Sequence, residues 1–314
     1  MQTNKLTEGA ILLAVYGVLL FIFLYLPFLW LIVAFVLALP FTYFTAKYDL
    51  KHGLFFFVGS LILTLIIGNI VDIVALPVTI LYGMVGIVFG WCLLGRKDRF
   101  ITFSATTLTF LACTVLLYIG AILLFDMNFI QETIEMSENA FQQYISVLES
   151  TGQDVSLIKE TLPLIKQQLI TLIPSMFILA SGVIVLFIQT ISYPILKRFG
   201  FSVPEASQFR NLTLPRSLIW YYLITVLISL FVKADEGTFL FNAIANILFV
   251  LQFLFVIQGI SFLFFLSYEK GVKKVWPIIG TILVIISPLF NTLARIIGIV
   301  DIGFGLRQWI RKKS

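Results

Sequence analysis

The sequence predicts an all-α, polytopic membrane protein with about eight to ten transmembrane helices. Three observations carry this. Of 314 residues, 60% are apolar and only 12% charged, against about 45–50% and about 25% in soluble domains. The mean hydropathy is +1.05. The apolar residues fall into long runs separated by short polar, basic or proline-containing breaks. One water-soluble globule of this size cannot hide so much apolar surface, whereas spans of about 20 residues can. Composition therefore excludes a cytosolic enzyme, a secreted disulfide scaffold and a disordered chain.

The first span is expected at about 9–26: Lys5 precedes an apolar run, and no small-x-small cleavage site follows it, so it reads as an uncleaved helix rather than a signal peptide. Pro27 turns the chain into a second span, about 28–46, that contains Pro40. A third, about 53–68, and a fourth, about 73–94, are separated by Asn69 and Asp72. The fifth and sixth are expected at about 101–125 and 169–195, the seventh and eighth at about 217–232 and 239–267. The stretch at about 275–306 exceeds one span, and Ser287-Pro288 divides it into two short helices.

Between the fifth and sixth spans lies an acidic, amphipathic helical hairpin, about 126–168. Ile130, Ile134, Phe141, Ile145 and Leu148 recur at helical spacing, Gly152 interrupts them, and Asp154 is the expected cap of a second helix. It is either a self-packed stalk or a lid or partner-docking surface. A polar piece at 197–216, with Pro204, Pro215 and scattered aromatics, reads as a segment lying on the headgroups, with a docking role for a partner as the alternative. The expected division is a transmembrane core over 1–195 that includes the hairpin, the interfacial segment 196–216, and C-terminal helices over 217–314 with a basic tail.

Basic residues set the orientation. Placing Lys5 inside puts 17 of the 21 lysines and arginines in cytoplasmic segments and leaves Lys159, Lys166, Lys233 and Arg295 outside or in the membrane. The cytoplasmic excess of basic residues thus predicts a multi-pass protein of a bacterial plasma membrane with both termini inside, and an even number of spans. The net charge of +5 follows from the same bias and does not call for nucleic acid. Cys92 and Cys113 lie in apolar runs, there is no CxxC, and His52 is the only histidine, so no metal centre or cofactor is expected.

Polar side chains inside lipid are functional candidates by default. Asn69 and Asp72, at the outer ends of two spans, would contact a cation or polar solute, or else sit at a wet turn. Asn242 and Asn246 share one helix face, where such residues either touch substrate or hydrogen-bond a neighbouring helix. Arg295 and Asp301 lie six apart, off a common face of one straight helix, and would pair with groups on other spans. Small residues form two stripes suited to close helix docking, within the protein or against a partner: Ala10, Ala14 and Gly17 on the first span, and Gly83, Gly86 and Gly90 on the fourth. No GxSG, HExxH, paired acidic motif, Walker A sequence or pore-loop filter is present, so no enzymatic activity is expected.

Three passages carry a family resemblance: Leu6-Thr7-Glu8-Gly9-Ala10-Ile11-Leu12-Leu13-Ala14, then Phe209-Arg210-Asn211-Leu212-Thr213-Leu214-Pro215, then Gly298-Ile299-Val300-Asp301 followed by Arg307. With them the chain resembles the YybS family, multi-pass membrane proteins of Gram-positive bacteria with no established activity. It departs from that pattern at Leu212, Gly303 and Gly305. The N-terminal 195 residues are also similar to the substrate-binding S components of energy-coupling-factor transporters. That likeness implies a six-helix core binding a small solute from outside, docked through an Ala-x-x-x-Ala face, matched by Ala10 and Ala14, on a transmembrane coupling subunit with ATPases. The expected function is accordingly a solute-binding or transport component energised by other chains. The alternative is a non-transporting scaffold or regulator that works through the hairpin and the 197–216 segment.

Overall fold

The computed structural model describes residues 2–67, 74–232 and 235–311, with side chains from position 5 onward. Every regular element among them is helical: α1 Gln2–Tyr25, α2 Trp30–Ala34, α3 Leu39–Lys47, α4 Leu50–Ile67, α5 Ala75–Leu94, α6 Arg99–Phe125, α7 Phe129–Ser150, α8 Ser156–Arg198, a single 3-10 turn Phe209–Asn211, α9 Ser217–Phe231, α10 Phe239–Glu269, α11 Val275–Ile286, α12 Pro288–Phe304 and α13 Leu306–Arg311. Among the described residues, seven segments are long and apolar enough to cross a bilayer: α1, the α2–α3 stretch Trp30–Lys47, α4, α5, α6, α8 and α10. The apolar α9 has 15 residues, about 22 Å of helix against a hydrocarbon core of about 30 Å. Helices α11 and α12 meet at an angle of 114° at the expected Ser287-Pro288 break. Pro288 has no N–H to continue α11 and sits at the first turn of α12, where none is needed.

Contacts gather the described chain into two compact units: Met1–Val155 with Phe177–Glu205, and Ser156–Met176 with Ala206–Ser314. Helix α8 contributes its first part to the second unit and the rest to the first.

In the first unit, α3 and α5 approach until their backbones nearly touch. A Cβ at Gly86 would stand 2.5 Å from the Ala38 carbonyl oxygen, one at Gly90 2.6 Å from that of Thr42, and one at Gly83 2.6 Å from the Phe57 ring. The glycine stripe of α5 is thus filled from within its own unit. A thread of hydroxyls crosses the apolar interior beside it. The Tyr16 hydroxyl donates to Thr79 Oγ1 at 2.6 Å, and Thr79 Oγ1 lies 2.8 Å from Thr64 Oγ1. Each threonine hydroxyl also meets a carbonyl one turn back, so no member is stranded away from water. Around them pack Leu20, Leu37, Phe41, Phe56, Val85 and Ile188.

Helix α6 is capped by Asp98, which accepts from the Ile101 N–H at 2.8 Å. The amphipathic α7 is capped by Asn128, which also accepts from the Tyr118 hydroxyl at 2.9 Å. Along α7, Ile130, Ile134, Ile145 and Leu148 are at least half-buried while Phe141 is exposed. Gly152, with φ +76°, turns the chain, and Val155 rather than Asp154 takes the cap position of α8.

In the second unit, α10 and α12 touch through glycine. A Cβ on Gly259 would collide with the Ala294 carbonyl oxygen, and one on Gly298 with that of Phe255. Helix α11 starts five residues after Lys270 closes α10. Helix α13 returns to that same end of α10, where Arg311 meets Glu269 at 3.2 Å.

Candidate functional site

The close approach of α10 and α12 brings two buried polar side chains together. Gln258 Nε2 donates to Asp301 Oδ2 at 2.6 Å. Past Asp301 the chain reaches Gly305 in the left-handed region, φ +61°, which a residue with a Cβ adopts only under strain. That turn aims α13 so that Arg307 faces back, and its Nε donates to the same Asp301 oxygen at 2.9 Å. The Arg307 and Asp301 side chains are 10% and 2% exposed. At that burial neither charge is tolerable alone, so each one fixes the other.

The rest of the guanidinium holds a strap. Arg307 Nη1 donates to the Arg210 carbonyl at 2.7 Å, and Nη2 to Ser261 Oγ at 3.1 Å. The Ser261 hydroxyl reaches the carbonyls of Phe209 at 2.7 Å and Leu212 at 3.1 Å. Gln258 Oε1 accepts from the Leu214 N–H at 3.0 Å. Residues 209–214 have no helix of their own beyond one 3-10 turn, so three buried side chains of α10 and α13 bond their backbone instead. Outside the strap, the Arg210 guanidinium carbon lies 3.2 Å from the centre of the Tyr268 ring.

Arg295 and Asp301 do not meet each other. Asp301 takes Arg307 and Gln258, while Arg295 is half-buried on α12 and makes no ion pair among the described residues. Six residues on a straight helix place the two side chains on different faces, whereas the turn at Gly305 lets Arg307 double back.

Asn246 staples α10 to the early part of α8. Its Oδ1 accepts from the Ser175 N–H at 2.9 Å and the Ser175 hydroxyl at 2.6 Å, and its Nδ2 donates to the carbonyls of Thr171 and Asn242, both at 2.7 Å. Every donor and acceptor of that amide is engaged. Asn242 Oδ1 is buried and has no partner among the described residues. Asn69 and Asp72 lie outside the described residues.

In the first unit, Gly17 packs on Leu63 and Ile67 of α4, whereas Ala10 and Ala14 face outward with Ile11, Val15 and Val18. Glu8 is the hub of a polar cluster that periodicity does not reveal, because it stands as a lone acid near the start of an apolar run. Its carboxylate receives Lys47 Nζ at 2.5 and 2.7 Å, the Tyr43 hydroxyl at 2.8 Å and the Tyr48 hydroxyl, tying α1 to the end of α3. Lys5 Nζ lies 5.2 Å from the centre of the Tyr48 ring. Just beyond, Asp49 caps α4 by accepting from the His52 N–H at 2.7 Å. That bond, followed by the contact with the His52 ring, holds the Asp49 carboxyl below its ordinary range.

Long apolar helices, small-residue contacts and buried polar staples define a polytopic, all-helical membrane protein. The chain belongs to the family described as Predicted membrane protein (DUF2232), whose model matches residues 14–302. It is 29% identical to the uncharacterized protein YybS of Bacillus subtilis (strain 168), over 99% of each chain. No solved structure matches it significantly.

Proposed function

We propose that the protein is a non-enzymatic solute-binding or transport component of a bacterial plasma membrane, with both termini cytoplasmic and energy supplied by other chains. The observation that carries this reading is the outward face of α1. The first unit gathers six apolar segments, and within it Ala10 and Ala14 are left open while Gly17 is packed inside. Such a face suits close docking of another transmembrane helix, as in the S components that this half resembles. A coupling subunit with its ATPases is the partner in this reading, and Asn69 and Asp72 are the solute contacts.

The test is purification of the full chain from its native membranes, with mass spectrometry of everything that accompanies it. A coupling subunit, ATPases and a bound small molecule are expected, with the proteins lost in an Ala10→Leu, Ala14→Leu variant. Recovery of neither ATPases nor a small molecule overturns the reading.

The second reading is a scaffold or regulator. The anchored strap at 209–214 favours it, because a segment fixed by three buried side chains presents a constant surface. In that case other proteins are recovered, and they are lost when the strap is altered.

A further inference from the structure

At the end of the second unit where α10 stops and α13 finishes, the acids Asp301 and Glu269 are each paired with an arginine, Arg307 and Arg311. Five more cations in the same loops have no acidic partner among the described residues: Arg210, Arg216, Lys270, Lys273 and Lys274. Their placement is shared. Arg210 is fixed by the strap and by Tyr268, Arg216 Nη2 lies beside Gly305, and the three lysines join α10 to α11. Three tryptophans stand in the neighbouring helices, in the first turns of α9 and α11 and in α13. Trp220, Trp276 and Trp309 are 65%, 65% and 57% exposed.

We infer that this end of the second unit binds the phosphate headgroups of anionic phospholipids. Tryptophan favours the headgroup level of a bilayer, where its ring is half in apolar surroundings and its N–H meets polar groups. Lysine and arginine at that depth pair with lipid phosphate. With both local acids already neutralised, nothing opposes the five remaining charges. A soluble anion would gain nothing from the exposed indoles, whereas a lipid meets both features at once. Each cation strengthens attachment to an anionic bilayer about fivefold, equivalent to about 1 kcal/mol.

The experiment uses the full chain in nanodiscs of phosphatidylcholine with and without phosphatidylglycerol, reading retained lipid by native mass spectrometry. Selective retention of phosphatidylglycerol is expected. It should fall more than about tenfold in Lys270→Gln, Lys273→Gln, Lys274→Gln and stay unchanged in Arg96→Gln, Lys97→Gln. Equal retention of the two lipids, an equal fall in both variants, or displacement of phosphatidylglycerol by inorganic phosphate overturns the inference. If the triple variant fails to fold, the wild-type protein decides: retention must fall as sodium chloride rises, and retention indifferent to salt overturns it.

Discussion

Asp301 and Arg307 meet at 2.9 Å across the left-handed turn at Gly305, and the strap carbonyl of Arg210 completes the guanidinium's contacts. Removing either partner leaves a buried charge alone. Arg307→Ala and Asp301→Ala are each expected to lower stability by about 3–5 kcal/mol. The double variant should cost less than the sum of the two. Thermal unfolding of all four proteins in one detergent gives the coupling, and additive effects would refute it.

Limited proteolysis tests the strap itself. Ser261→Ala removes the hydroxyl that reaches Phe209 and Leu212 and receives Arg307. The expected loss is about 1–2 kcal/mol, with faster cleavage confined to 206–216. Unchanged cleavage there would show that the strap is held by other contacts.

The glycine contact between α10 and α12 admits no side chain. Gly259→Ala and Gly298→Ala would each drive a methyl into a backbone carbonyl oxygen, for a loss of about 1–3 kcal/mol or more. Gly120→Ala on α6, with nothing within 4 Å of its Cβ, is the control. It should be neutral or slightly stabilising, since alanine favours the helix. Unfolding midpoints of the three variants check the ranking.

Asn246→Ala removes the staple between α10 and α8 and is expected to cost about 1–2 kcal/mol. Because the amide is fully engaged within the protein, binding of any solute by the folded variant should be unchanged. A binding defect at constant stability would assign Asn246 to solute contact instead.

The Asp49 cap carries a pH signature. Its folded pKa is lowered from an ordinary 3.8 by the His52 N–H and then by the His52 ring. The cap therefore contributes fully above that value and is lost as pH falls through the lower folded one. Asp49→Asn should remove this dependence while keeping most of the stability at neutral pH. Unfolding midpoints of the two proteins between about pH 6 and about pH 2, which bracket the carboxylate range, supply the comparison.

The membrane helices are legible in the sequence because burial in lipid demands long apolar runs, and α1, α4, α5, α6 and α10 follow those runs closely. The Ser287-Pro288 break is legible for a similarly local reason, the missing proline N–H. The stretch 28–46 is likewise legible as one span, although the helix within it is interrupted between α2 and α3, with Pro40 in the first turn of α3. Partnerships are harder. Arg295 and Arg307 each lie six residues from Asp301, and only Arg307 reaches it, because Gly305 reverses the chain. The Glu8 cluster depends on α1 lying against α3, a tertiary fact that no spacing within α1 records.

The 114° bend between α11 and α12 has a topological result. Helix α11 departs just past the end of α10, and Arg311 comes back to Glu269 at that end. A pair that entered a bilayer along this path would emerge on the side it entered and add no net crossing. Reporters fused after Gly271 and after Ser314 are then expected to sense one compartment.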